Sequence, residues 1–238
     1  MGVFIVAANN QPKNVNAVVE RFDYRLVFSK KGRARFISHL DLMRTFSRIF
    51  KRAKIPVWYT QGFNPRLYIM FPLALPLGTE SDVEIMDISL TQQLDNNELM
   101  HRVNEVMPDG MRINKVTAPL MSHKDIASSE YEIMLFYDSD SDMVQRFKEY
   151  LSQEKVIAKK FSKKKGTVEI DIKDDINLIE VKNDNGFLFI KLILPSGNDK
   201  NINTSVLVDS FEEYCGIKHG AIYTTRTKIL TKSGEIFT

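Results

Sequence analysis

The segment YRLVFSKKGRARFISHLDLMRTFSRIFKRAK, residues 24–54, decides the fold class. Its first six residues read as a strand, and Lys30-Lys31-Gly32 supplies a turn. Residues 34–37 are expected to continue that strand or pair with it. From Ser38 the period changes. Leu42, Phe46, Ile49 and Ala53, with Met43 and Phe50 beside them, recur at helical spacing and form one apolar face. Ser38 and Asp41 stand three apart, the spacing of a capping box, and are assigned to capping. Pro56 ends the helix, because a residue before proline is pushed out of the α region. A strand followed by an amphipathic helix calls for a sheet beneath that helix.

Further along, residues 57–60 and 67–71 read as short strands around the turn-rich QGFNPR at 61–66. A strand follows at 83–90, then a helix at 95–107 closed by Pro108 and Gly110, and a strand at 111–118. The order β-α-β-β-α-β is that of a ferredoxin-like unit. The second half repeats it, with a strand at 131–137, a helix at 141–153, strands at 156–161, 168–172, 178–182 and 186–194, a helix at 204–215 ending at Gly216, and a last strand at 221–230. The Asn-Asp-Asn-Gly at 183–186 is a hairpin turn of the kind that needs positive φ. The expected class is α+β, as tandem ferredoxin-like (βαββαβ) units with antiparallel sheets. A flexible leader covers 1–21, a basic domain 22–120 and a second domain 129–238.

Composition narrows the function. The 238 residues are 43% apolar and 26% charged, which suits globular structure rather than disorder. No stretch has the roughly 18 uncharged apolar residues of a membrane helix, so no membrane partner is expected. Cys215 is the single cysteine, which removes disulfides, CxxC and cysteine-based zinc sites and fits a reducing cytoplasm. Residues 1–120 hold sixteen Lys/Arg against eleven Asp/Glu, and residues 24–71 hold eleven against Asp41 alone. The segment 79–109 is acidic. A single-sign field of this kind draws polyanions.

The first helix carries that charge in order. Arg44, Arg48, Lys51 and Arg52 fall at i, i+4, i+7 and i+8 on the face opposite the apolar one, and Lys54 extends the run. Like charges so spaced weaken a helix slightly, and a phosphate backbone would favour them by counterion release. Gln61, Gly62, Asn64 and Arg66 belong to a loop at one sheet end, where binding groups often lie. His39, at the first turn of the helix, is a weak candidate general acid or base for RNA cleavage, with a plain helical role favoured. Glu84 and Asp87, three apart on a strand, point to opposite faces. They make no carboxylate dyad, and one of them is a candidate partner for the cationic helix. The lysines at 155, 159, 160 and 163–165 suit either strand-edge protection or RNA contact. GxGxxG, GxxxxGK[ST], GxSxG and HExxH are absent, so no metal and no cofactor is assigned.

The motifs FISHLD (36–41), QGFNP (61–65), PLG (76–78), Glu84…Asp87 and, more weakly, LPSG (194–197) resemble the radical-SAM-linked proteins, a bacterial domain of unknown function found alone or fused to cobalamin-binding radical-SAM proteins. The resemblance runs over about residues 24–226 and implies a genomic setting beside radical-SAM enzymes, RNA-processing ribonuclease and ribosomal-protein genes. It brings no established activity or catalytic residues. One cysteine cannot supply the CxxxCxxC of a radical-SAM cluster, so the chain resembles the free-standing accessory partner. The expectation is a non-catalytic RNA-binding or substrate-presenting module that acts with a radical-SAM enzyme on RNA or ribonucleoprotein. The alternatives are a metal-independent endoribonuclease resembling CRISPR-repeat processing nucleases, by fold analogy alone, and a protein–protein adaptor using the acidic segment.

Overall fold

Alternation in β1 (Phe22–Lys30) sorts its side chains onto two faces, with Leu26 and Phe28 buried on one and Arg25 and Val27 on the other. The computed structural model describes residues 20–61, 63–137, 142–162, 166–197 and 199–238. The expected leader therefore lies almost wholly outside the described residues, as do Gly62, Lys163, Lys164 and Lys165. After β1 come α1 (His39–Arg52), β2 (Ile69–Met70), β3 (Glu80–Leu90), α2 (Asn96–Asn104) and β4 (Met111–Thr117). The second half holds β5 (Ile126–Phe136), α3 (Met143–Ser152), the hairpin β6 (Ile157–Ser162) and β7 (Gly166–Asp171), β8 (Asn177–Asp184), β9 (Phe187–Pro195), α4 (Thr204–Cys215) and β10 (Ala221–Thr231).

The architecture is mixed α and β, with four α-helices among the described residues and mostly antiparallel pairing. Among the described residues, one eight-stranded sheet runs β4-β1-β3-β10-β5-β9-β8, with β2 paired to β3, so the two halves share a sheet. The first half contributes the order β4-β1-β3-β2 and the second β10-β5-β9-β8, every pairing within a half being antiparallel. The halves meet where β10 runs parallel to β3 over two residue pairs, Thr225↔Glu80 and Arg226↔Ser81. Each half has its own core. One gathers Leu42, Phe46 and Phe50 of α1 and Leu99 and Val103 of α2 over β1, β3 and β4. The other gathers Phe147 and Tyr150 of α3 and Leu207 and Phe211 of α4 over β5 and β9. On the reverse side of the first half, Val27 and Ile85 are covered by Ile126, Ile229 and Phe237.

Two local expectations are corrected. Residues 34–37 lie in a 3-10 turn (Gly32–Phe36) and its exit. The buried Lys30 ammonium collects the carbonyls of Ile37 and Arg35, at 2.8 and 3.4 Å, and Lys31 N donates to Gly110 O, so the chain folds back at once. Of the two short strands around QGFNPR, only Ile69–Met70 enters the sheet, while Val57 and Tyr59 make isolated bridges. The LPSG motif has a packing reason. A Cβ on Gly197 would meet the Ile126 carbonyl oxygen at 2.5 Å, so the chain end of β9 can approach β5 only without a side chain there. No helix among the described residues is long and apolar enough to cross a membrane.

Candidate nucleic-acid interface

Several of the early cations never reach solvent as free charge. Arg25 makes a bidentate pair with Asp87, at 2.7 and 2.8 Å, beneath the Phe237 ring at 4.4 Å. Lys30 is buried. Its desolvation pushes the ammonium pKa down, and Glu84 pulls it back up. Lys31 pairs with Asp82, and Arg35 with Glu80 while lying between the rings of Phe36 and Tyr223. Glu84 goes to Arg226 at 2.9 Å, from the far end of the chain. The acids of 79–109 thus neutralise cations of β1, the 3-10 turn and β10. This corrects the expectation that Glu84 or Asp87 pairs with the first helix.

What remains cationic of residues 24–71 is Arg33 of the 3-10 turn, α1 and the hairpin after it. The Ser38 side chain accepts from Asp41 N and donates to the Asp41 carboxylate at 2.8 Å, closing the N-terminus as the sequence requires. The apolar face then buries Leu42, Phe46, Ile49 and Phe50. Phe46 packs its ring 5.1 Å from Phe28, 5.8 Å from Phe50 and 6.0 Å from Phe71. Anchoring of that face turns Arg44, Arg48 and Lys51 outward. The hairpin is pinned at its base by Thr60 N to Arg66 O at 2.8 Å, Arg66 N to Thr60 Oγ1 at 3.0 Å and a Tyr59↔Leu67 bridge. That pinning brings Arg66 across from the helix.

Arg44, Arg48, Lys51 and Arg66 line one groove of about 490 Å³, with Met43, Leu67 and Ile69 supplying its apolar wall and, among the described residues, no acid in its lining. Arg44 also reaches Asp41 at 3.2 Å, on an exposed surface where such a pair is weak. Ser38 and then Arg44 hold the Asp41 carboxyl below its ordinary pKa, so it stays ionised. Among the described residues, the side chains of Arg48, Lys51 and Arg66 have no recorded ion pair or hydrogen bond. Four like charges held together in this way repel one another and favour an anion that spans them.

The other candidates are dispersed. Arg52 turns toward a separate pocket of about 230 Å³ that it shares with Arg48 and Glu105. Lys54 sits at φ 54° just past the helix end, and its carbonyl accepts from Arg102 of α2, a structural use of its backbone. His39 is exposed and packs edge-on against Phe71 at 5.4 Å, with no recorded carboxylate partner among the described residues. Gln61 turns back to the Tyr59 carbonyl at 3.5 Å, Asn64 is exposed, and Gly62 lies outside the described residues. Among the lysines of the second half, Lys159 pairs with Glu213 and Lys160 with the Asn201 carbonyl. Cys215 is half-buried, and burial pushes its thiol pKa up, away from thiolate. Among the described residues, no cluster of three or more His, Cys, Asp or Glu could hold a metal. Sequence reading missed Tyr59 and Phe63, both exposed on the same hairpin. The available signal was an aromatic residue in a turn that needs none.

The fold and groove define a class, an α+β protein with a cationic cleft built by one helix and one hairpin. Residues 23–204 match the family described as an uncharacterized protein conserved in bacteria (DUF2344), and the chain belongs to that family. The match covers both halves as far as the first residue of α4. No curated protein matches the chain.

Proposed function

We propose that this protein is a non-catalytic module that binds RNA or ribonucleoprotein through the α1 groove and presents it to a radical-SAM enzyme in the cytoplasm. The supporting observation is the convergence of Arg44, Arg48, Lys51 and Arg66, from two elements, on one groove with no acid among its described lining residues. The radical-SAM partner rests on the motif resemblance, and the cytoplasmic setting on the single cysteine. We also read each half as a ferredoxin-like unit, from the strand orders β4-β1-β3-β2 and β10-β5-β9-β8 with two helices apiece.

A salt titration tests the reading. Four phosphate contacts would give a slope of about −3 in log affinity against log salt, or about 60-fold weakening between roughly 50 and 200 mM. Replacing Arg44 and Arg48 by Glu removes two contacts and should reduce the slope to about −1.5 or less, with weaker retention of RNA at every salt concentration. A slope unchanged by the double substitution refutes the groove.

A further inference from the structure

Phe63 is fully exposed, at 105% of its reference area, at the tip of a hairpin whose base is hydrogen-bonded at Thr60 and Arg66. An apolar ring there contributes nothing to the core, and the turn chemistry of Gly, Asn and Pro beside it has no need of an aromatic. Three residues span at most about 11 Å, so Phe63 stands within that distance, backbone to backbone, of Arg66 in the groove. Tyr59 lies directly opposite Leu67 and so shares its side of the hairpin, and Leu67 lines the groove. Tyr59 is 39% exposed. Two accessible rings thus stand on the hairpin that supplies one wall of a groove of four cations.

Duplexes are gripped by their phosphates, and their bases are stacked out of reach. Unpaired strands offer base faces to aromatic side chains as well as phosphates to cations. Resting on the reading of the groove as an RNA site, we infer that its ligand is single-stranded RNA, with phosphates along Arg44, Arg48, Lys51 and Arg66 and an unpaired base stacked on Phe63, Tyr59 bordering the same path. Another aromatic row, Phe136, Phe187 and Tyr223 on the sheet of the second half, with Phe136 and Tyr223 exposed, has different surroundings. Ion pairs of Lys191 with Glu130 and Glu132 and of Lys182 with Glu180 cancel the charge that a phosphate chain would need.

The test compares an oligouridylate of about twelve nucleotides with an RNA duplex of equal length, by fluorescence anisotropy on the full chain. The parent protein should prefer the unpaired strand. Phe63→Ala should weaken that strand about 5- to 140-fold and leave the duplex unchanged, Phe63→Trp should restore it, and the salt slope should hold throughout. Tyr223→Ala should match the parent. Phe63 lies on the surface, so thermal melting of Phe63→Ala should coincide with the parent and exclude misfolding. If Phe63→Ala binds the unpaired strand as the parent does, or if Tyr223→Ala carries the loss instead, the stacking assignment falls and the cationic groove survives. If Arg44→Glu with Arg48→Glu leaves all binding intact, or the parent binds neither RNA, the groove reading falls and the inference with it.

Discussion

Replacing Arg226 by Met should uncouple the two halves. The guanidinium and the Glu84 carboxylate are 1% and 2% exposed and 2.9 Å apart, and Arg226 also donates to Ala74 O at 2.9 Å and to the Tyr131 hydroxyl at 3.3 Å. Methionine fills most of the volume but leaves a carboxylate in the interior and a carbonyl without its donor. Breaking a buried pair from one side costs about 3–5 kcal/mol. Against a total stability of about 5–15 kcal/mol this is a large share. With a urea m-value near 3 kcal/mol/M, the midpoint should fall by about 1–2 M. A second readout follows from place. The pair lies beside the two residue pairs that join β3 to β10, and Trp58, the chain's single tryptophan, belongs to the first half. Tryptophan emission should report the first half while circular dichroism reports both, and the two curves should separate in the variant. Adding Glu84→Gln should recover part of the loss, because the carboxylate that lost its guanidinium is then no longer charged. A midpoint within about 0.3 M of the parent with coincident curves would show that the pair does not hold the halves together.

Phe46→Ala, at a position wholly enclosed by the Phe28, Phe50 and Phe71 rings, should cost about 3–5 kcal/mol in thermal unfolding, and a loss below about 1 kcal/mol would contradict that packing. Glu212 is buried at the end of α4, where burial pushes its carboxyl pKa up but hydrogen bonds from His219 and Lys218 outweigh that and leave it lowered. A lowered folded pKa stabilises above the ordinary carboxylate value and is lost as pH falls through the folded value. Glu212→Gln should therefore be less stable than the parent at neutral pH, and the gap should close on acidification below about pH 4.5; a gap that widens in acid would be inconsistent with the sign.

Much of the scaffold was legible where the signals are local. Ser38 and Asp41 announced the start of α1, and α4 spans Thr204–Cys215 because Asn203 accepts from Ser205 N and Gly216, at φ 69°, takes the left-handed exit. Both sites depend on neighbours within a few residues. The 3-10 turn was misread as a strand because Arg33-Ala34-Arg35-Phe36 alternates like one, and the force that bends it is the Lys30 ammonium, fixed by tertiary burial. Pairing between segments distant in sequence, within a half and across the halves, was invisible for the same reason. Arg25 meets Asp87 62 positions away, and Arg226 meets Glu84 142 positions away. Those partnerships also decide the candidate site, since counting charges along 24–71 overstated its cations by including residues that are neutralised internally. The helical spacing of Arg44, Arg48 and Lys51 did carry through, because one anchored face dictates the direction of the other. The role of Arg66 opposite them needed the hairpin geometry.

The shared sheet bears on how this protein can be dissected. A fragment cut to the family match, ending at residue 204, would lose α4 and β10 together. It would strip the cover from β5 and from the Glu80 end of β3, exposing two unpaired strand edges of the kind that recruit other molecules into fibrous or insoluble assemblies. Glu84 would be left without its guanidinium in the same cut. Recombinant pieces chosen by the match alone should therefore come out as aggregates, and biochemistry on the cleft calls for a polypeptide that retains the strand uniting its two lobes.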